Sequence, residues 1–276
     1  MKKRRADEAL VSDLGVGSIT LARALIMEGR VMAGDRKILR ASELLKPGDV
    51  LRVRGELDGY VSRGAHKLKK ALEVFGIDLN GVVCVDVGAS TGGFTDVMLR
   101  AGAKRVYAVD VGYNLLDYRL RSDPRVTCME RTNARFLTPG AFDPRPAFGA
   151  TDVSFISLKA VLPAALGALA EDSLGFVALV KPQFEAEKDE VGEKGVVRVR
   201  AVHEKVLRDI VDFVPTLGWR VAGLDYSPIR GPEGNIEFLL YMTQCDKSAN
   251  FPNDISIDVT IGCAYDNFFK SASRGL

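Results

Sequence analysis

Two histidines, His66 and His203, and four scattered cysteines leave little from which to build a metal centre. Cys84, Cys128, Cys245 and Cys263 form no CxxC pair, so neither a zinc site nor a disulfide framework is expected, and a reduced, cytoplasmic protein is the simplest reading. Long apolar runs are missing as well. The most apolar segment, 158–180, is interrupted by Lys159, Pro163, Glu171 and Asp172, whereas a spanning helix needs about 20 apolar residues in a row. No apolar signal core follows the basic start Lys2-Lys3-Arg4-Arg5. A net charge of +2 gives no global preference for an acidic partner, although basic residues are dense up to Lys70. The length of 276 residues suits one large domain with a small companion, and a hydrophobic content of 47% is ample for a packed core.

What is present is organised around VVCVDVGASTGGFTD, residues 82–96. The run 82–87 has the length and β-branched content of a buried strand. A turn rich in glycine follows, and residues 95–100 read as a helix. Strand, glycine turn and helix together form the ligand cradle of α/β folds, because glycine lets backbone approach a ligand closely. No lysine follows Gly92 or Gly93, so the turn is not a P-loop. Glycines at Gly88, Gly92 and Gly93 do not fit the dinucleotide spacing GxGxxG either. S-adenosylmethionine, which carries no pyrophosphate, is compatible with it. Asp86 could face the methionine end of that ligand. Asp110, at the end of the strand 104–110, could take the ribose hydroxyls. An ordinary tight turn in a parallel sheet is the plainer alternative.

Residues 1–55 read as a small separate unit, with a helix over 5–14 and a second over 19–28. Ser18 is the expected N-cap of the second helix and Gly29 its stop. Short strands are expected at 30–33 and 50–53, with turns at Gly34-Asp35 and Pro47-Gly48-Asp49. Arg23, Arg30, Arg36, Lys37, Arg40, Arg52 and Arg54 decorate this unit. They are either a solvated basic surface or a phosphate-binding one. The pattern Ser18-x-x-x-Ala22-Arg23-x-Leu25-Ile26-x-x-Gly29-x-Val31 resembles the S-four RNA-binding domain.

Residues 56–60 look like a linker, and 61–246 carry the alternating strands and helices of a doubly wound sheet. Strands are expected at 125–129, 148–153, 176–180, 219–224 and 236–242. Residues 117–121 read as a helix or a turn and 201–214 as an amphipathic helix, in which His203 reads as structural. Residues 130–133 follow a strand end and could touch an adenine, or form a plain loop. The segment 185–198 is charged, contains Gly192 and Gly195, and looks like a mobile loop or lid. Lys181 ends a buried apolar run before a proline, an unusual place for a solvated lysine. Glu237 begins an apolar strand, so it should have a partner or face a cleft. Lys67, with Lys69 and Lys70 beside it, is locally unremarkable. Residues 247–276 change in character and read as an appended strand or a loose tail.

Lys67, Asp152, Lys181 and Glu237 together resemble the Lys-Asp-Lys-Glu set of FtsJ/RrmJ-type ribose 2′-O-methyltransferases. VSRGAHKL, DVGASTGGFTD, TDVSFISL, LVKPQFE and SPIRGPEGNIEFLLY make the chain similar to the TlyA family, some members of which carry a hemolysin label. The resemblance implies a Rossmann-like α/β methyltransferase sheet with a small N-terminal α+β RNA-binding domain. It implies S-adenosylmethionine as methyl donor and cytidine ribose in small- and large-subunit ribosomal RNA as acceptor. It places the cofactor on Asp86, Gly88, Ser90, Gly92, Gly93, Phe94, Asp110, Val111, Arg131 and Asn133. RNA contacts would fall to Arg4, Arg5, Arg23, Arg30 and Arg63. Lys181 would remove the hydroxyl proton, which requires burial, Lys67 and the sulfonium to favour its neutral amine. Asp152 would orient that amine, Lys67 would position the hydroxyl, and Glu237 would hold a lysine. A monomer acting on ribosomal RNA or subunits is expected, with no metal and no membrane. Two other classes stay open: an inactive RNA-binding assembly factor, and a membrane-active hemolysin.

Overall fold

The computed structural model describes residues 4–27, 29–46, 48–53, 59–245 and 255–270. The chain divides into two units, Met1–Arg63 and Gly64–Leu276. Lys2, Lys3, Pro47, Arg54 and most of the expected linker 56–60 lie outside the described residues.

In the first unit, α1 (Ala6–Leu14) and α2 (Ile19–Met27) precede β1 (Val31–Ala33), β2 (Arg36–Lys37) and β3 (Leu51–Val53). The strands form an antiparallel sheet in the order β2-β1-β3. Ser18 starts α2 as its sequence predicts, its hydroxyl accepting from the Leu21 N–H at 3.0 Å. Gly29 follows α2 at φ +68°, the left-handed conformation that glycine adopts without strain. Leu10, Leu25, Ile26, Val31 and Ile38 close the core.

The second unit is a seven-stranded sheet. Its strands are β4 (Val83–Val87), β5 (Arg105–Val109), β6 (Val126–Met129), β7 (Phe148–Thr151), β8 (Gly175–Val180), β9 (Trp219–Tyr226) and β10 (Phe238–Gln244). They lie in the order β6-β5-β4-β7-β8-β10-β9. The first five are parallel, and β10 runs antiparallel to both of its neighbours. Every residue of β8 is buried, which is why it reads as an unbroken apolar run rather than an alternating one. The chain builds outward from β4 through β5 to β6, then returns to start β7 on the other side of β4. This reversal opens a crevice beyond the strand ends, where ligands bind in such sheets.

The helices of this unit are α3 (Ala65–Phe75), α4 (Gly93–Arg100), α5 (Tyr118–Arg121), α6 (Leu158–Gly167), α7 (Pro182–Glu185), α8 (Arg200–Phe213) and α9 (Ile257–Tyr265). One expectation fails here. Residues 255–270 are neither a strand nor a loose tail but α9 and a wide helical turn, 266–270. Ser256 caps α9 through the Val259 N–H, and Ile261 and Ala264 bury one stripe of it in the main core. The remainder of 247–276 lies outside the described residues. Segment 185–198 is anchored at both ends, and its middle, 187–189 and 192–194, is exposed. Glu185 accepts from Ser157 Oγ at 2.6 Å and from the Leu158 N–H at 2.7 Å, and so caps α6. Farther on, Asn235 accepts from the Val197 N–H and donates to the Gly195 carbonyl.

Candidate active site

The glycine turn leaves β4 with Gly88 at φ +83°, Ser90 at +51° and Gly92 at +96°. At Gly88 a Cβ would sit 2.9 Å from Val153 Cγ1, so the bare backbone forms the wall here. At Gly92 a Cβ would meet Leu120 Cδ1 at 2.3 Å. The two glycines are therefore held by packing as well as by φ. A cavity of about 700 Å³ opens beside the turn, within the usual size of small-molecule sites. Gly88, Ser90, Asp110, Val111 and Asn133 line it, together with Asp152 and Phe155. The lining holds two carboxylates and a single guanidinium, Arg135. That balance suits a cationic ligand without phosphate, as S-adenosylmethionine is.

The acids meet different fates. Asp110 accepts from the Ser90 N–H and the Gly112 N–H, each at 2.7 Å, and stays on the cavity wall. Asp86 does not face the cavity. Its carboxylate is buried and accepts from the Thr95 N–H at 2.8 Å and Thr95 Oγ1 at 2.7 Å, closing the start of α4. Burial pushes its pKa up to about 7 against the pull of the Thr95 bonds, with the Asp152 and Asp110 charges adding to the rise. Gly92, Gly93, Phe94 and Arg131 are likewise absent from the cavity lining. Gly93 and Phe94 are buried in α4, and Arg131, at φ +54°, lays its guanidinium 4.3 Å over the Tyr113 ring. Asn133 accepts from the Arg135 N–H, fixing the turn that carries the cavity's adenine-side candidates.

At the edge of this cavity four charged groups from four elements converge. Lys67 comes from the first turn of α3, Asp152 from just beyond β7, Lys181 from just beyond β8, and Glu237 from just before β10. Lys181 Nζ lies 2.6 Å from Asp152 Oδ1. Lys67 Nζ lies 3.1 Å from Asp152 Oδ2 and 2.8 Å from Glu237 Oε2. One carboxylate thus bridges two lysine side chains, and a second carboxylate backs one of them. Both lysine side chains are only 8% exposed, Glu237 1% and Asp152 20%. Burial alone would disfavour the Lys67 charge, but Asp152 and then Glu237 outweigh it and hold its pKa above the ordinary lysine value.

Three participants are not evident from the sequence. Ser154 Oγ accepts from Lys181 Nζ at 2.8 Å and so fixes the amine from a second direction. Gly231 packs on Glu237: a Cβ there would lie 2.8 Å from Oε1. Phe155 is 90% exposed at φ +63°, a strained conformation for a bulky residue, and its ring sits at the cavity 5.1 Å from that of Phe184. An aromatic next to Ser154 in TDVSFISL is the available signal, but its exposure depends on the backbone.

In the first unit, Arg4 forks onto Asp13 at 2.7 and 2.8 Å. Arg5 and Arg23 converge on the buried Asp7 at 2.8 and 2.9 Å. These three arginines are therefore engaged within the unit, while Arg30 and Arg63 are half-buried. Among the described residues no group of three or more His, Cys, Asp or Glu side chains could hold a metal ion. Among them, too, no single helix is long and apolar enough to cross a membrane. α1 and α2 pass that test only as a pair bent by 116°.

Residues 60–244 match the family described as FtsJ-like methyltransferase. The chain is 42% identical over 249 residues to the 16S/23S rRNA (cytidine-2′-O)-methyltransferase TlyA of Mycobacterium tuberculosis, covering 90% of this chain and 92% of that one. It is 45% identical over 242 residues to a Bacillus subtilis protein named as a candidate rRNA methyltransferase, covering 87% of this chain and 86% of the other. A solved structure from Streptococcus thermophilus, described as a candidate hemolysin, is similar with a TM-score of 0.78 at 42% identity, covering 99% of both chains.

Proposed function

The chain belongs to the FtsJ-like methyltransferase family, and from that premise we propose that it methylates the 2′-hydroxyl of cytidine ribose in small- and large-subunit ribosomal RNA, with S-adenosylmethionine as donor. The observation that carries this reading is the convergence of Lys67, Asp152, Lys181 and Glu237 at the rim of a cavity walled by Gly88 and Asp110. The donor bound there supplies a methyl group on a positively charged sulfur. The residues must supply alignment and a place for one proton.

A ribose hydroxyl is barely ionised at neutral pH and is a weak nucleophile. Lys181, as the neutral amine, accepts the hydroxyl proton while the new oxygen–carbon bond forms and the carbon–sulfur bond breaks. Asp152 and Ser154 fix the direction of that amine. Lys67 donates to the ribose oxygen and holds it in line with the methyl, and Glu237 keeps Lys67 from swinging away. The exposed ring of Phe155 offers a face on which the base of the target nucleotide stacks, an interaction worth about 1–3 kcal/mol per base. The first unit acts as an S-four-type RNA-binding domain, with Arg4, Arg5, Arg23, Arg30 and Arg63 as its phosphate contacts. The protein works as a monomer on ribosomal RNA or ribosomal particles in the cytoplasm. Thr132, Asn133 and Val111 flank the adenine, and Asp110 takes the ribose of the donor.

Mapping 2′-O-methyl groups in ribosomal RNA from cells with and without the protein tests this reading. Methylated cytidines that vanish in its absence are expected, and an unchanged map overturns it. A membrane-active reading has the bent α1–α2 pair behind it. However, Leu10, Leu25 and Ile26 of that pair fill the core of the first unit. Release of dye from liposomes by the purified protein would favour the membrane reading.

A further inference from the structure

Residues 227–237 carry the chain from β9 into β10 and end on Glu237. The Ser227 N–H donates to the Glu237 carbonyl at 2.8 Å, and the Gly231 N–H donates to the Asn235 carbonyl at 2.9 Å. Gly231 lies against the Glu237 carboxylate. Its neighbour Arg230 reaches into the turn after α9. There Nη2 donates to the Phe268 carbonyl at 2.6 Å, and the guanidinium carbon lies 4.9 and 4.6 Å from the ring centroids of Phe268 and Phe269.

A second line of contact starts from the same turn. The Phe268 ring meets Tyr226 edge-on at 6.1 Å. Lys70 Nζ sits 3.5 Å over the Tyr226 ring, donates to the Tyr226 carbonyl at 2.7 Å and pairs with Asp225 at 3.0 Å. Lys70 lies one helical turn after Lys67 on α3. The turn 266–270 is therefore linked to the Glu237–Lys67 pair from both sides, through Arg230 and its chain neighbour Gly231 to Glu237, and through Tyr226 and Lys70 to the helix that carries Lys67. The turn is anchored in its own right. Tyr265 Oη, just before it, donates to the Arg198 carbonyl at 3.2 Å and meets His203 Nδ1 at 3.0 Å.

We propose that Arg230, seated on Phe268 and Phe269, is a positioning residue for methyl transfer: it clamps loop 227–237 so that Glu237 holds Lys67 in register with Asp152. A guanidinium over aromatic rings has the right scale to order a loop without deciding whether the domain folds. This assignment rests on the methyl-transfer reading for its catalytic consequence and on geometry alone for the clamp.

Two measurements on the full chain separate those layers. Arg230→Ala and Phe268→Ala should speed hydrogen exchange at the Ser227 and Gly231 amides by about 10-fold or more, while the β8 amides keep their protection. The same variants should lower kcat for labelled methyl transfer by about 10- to 100-fold with donor affinity unchanged, since misplacement of a held group acts on turnover. Arg230→Lys, which keeps a cation over the rings, should recover most of both. Leu169→Ala, a core change away from this loop, should lower Tm without altering kcat. Unchanged exchange at the two amides overturns the clamp, as does faster exchange throughout the second unit. Unchanged kcat in an active enzyme overturns its role in catalysis. A wild-type protein that transfers no methyl group sinks the functional reading instead, and the exchange result still decides the clamp.

Discussion

Asp7 and Asp152 are each a single carboxylate bracketed by two cations, and the two clusters are built inside out relative to each other. In the first unit Asp7 is 1% exposed, while its partners Arg5 and Arg23 are 39% and 55% exposed. In the second, Lys67 and Lys181 are 8% exposed with Glu237 buried behind Lys67, while Asp152 is 20% exposed on the cavity wall. Burying a carboxylate under two solvated guanidiniums leaves the one buried charge matched and settles a local fold. Burying two lysine amines behind a partly open carboxylate gives up hydration on both, which a fold does not need for its stability. The arrangement gains something when an oxygen atom enters to complete the donors' coordination. Similar pair distances thus serve two ends, and burial of both cations around a partly open carboxylate tells the second cluster from the first.

The sharpest test of that contrast is Lys181→Ala. Loss of a general base should lower methyl transfer by about 10²- to 10⁴-fold, with donor affinity by calorimetry held within about twofold. Loss of donor binding to the same degree would break the separation between cavity and relay. Glu237→Gln should follow, with a fall of about 10- to 100-fold in kcat as Lys67 loses one of its two anchors. Phe155→Ala should weaken RNA binding by about 1–3 kcal/mol and leave donor affinity intact, as a binding assay with each ligand would read. Asp7→Asn should have the smallest effect on turnover, leaving kcat at saturating RNA within about twofold, and should cost about 1–3 kcal/mol in denaturant unfolding.

The acid limb sharpens the comparison further. The bonds from Arg5, and with them Arg23, hold Asp7 well below the usual carboxylate range despite its burial. A depressed folded pKa means that the stability it gives is complete above the unfolded value of about 4 and drains away as the pH falls below it. Asp86 behaves in the opposite sense. With a folded pKa pushed up to about 7, its ionisation disfavours the fold, so stability should decline as the pH rises from about 4 towards 7. Asp7→Asn should flatten the first limb and Asp86→Asn the second, which unfolding curves between pH 2 and 8 would read.

Much of the second unit was legible because buried parallel strands write themselves as short apolar runs, and the residues just past them face the crevice. Asp110, Asp152 and Lys181 follow from that rule alone. Glu237 was legible as a charge that needed a partner, but the identity of the partner, Lys67, comes from a helix 170 positions earlier and is a matter of packing. Asp86 was misread for a related reason. A carboxylate before a glycine turn can point at the ligand or back at the helix, and Thr95 decides in favour of the helix with two short bonds. Asp7 passed unnoticed between basic neighbours because pairing with Arg23 requires α1 and α2 to be packed first. α9 was missed because its apolar residues do not keep to one face: Val259 and Cys263 are exposed while Ile261 and Ala264 are buried, and Gly262 interrupts them, so no helical period stands out.

Gly88 and Val153 have a consequence that reaches past packing. The cavity floor and the strand end that presents Asp152 share one wall, with no room for a methyl group between them. A single added carbon at position 88 must displace Val153, and Asp152 is its immediate neighbour in the chain. Gly88→Ala should therefore behave as a lesion in proton handling although alanine carries no ionisable group, and drift at this one site during evolution would be felt by both reactants at once.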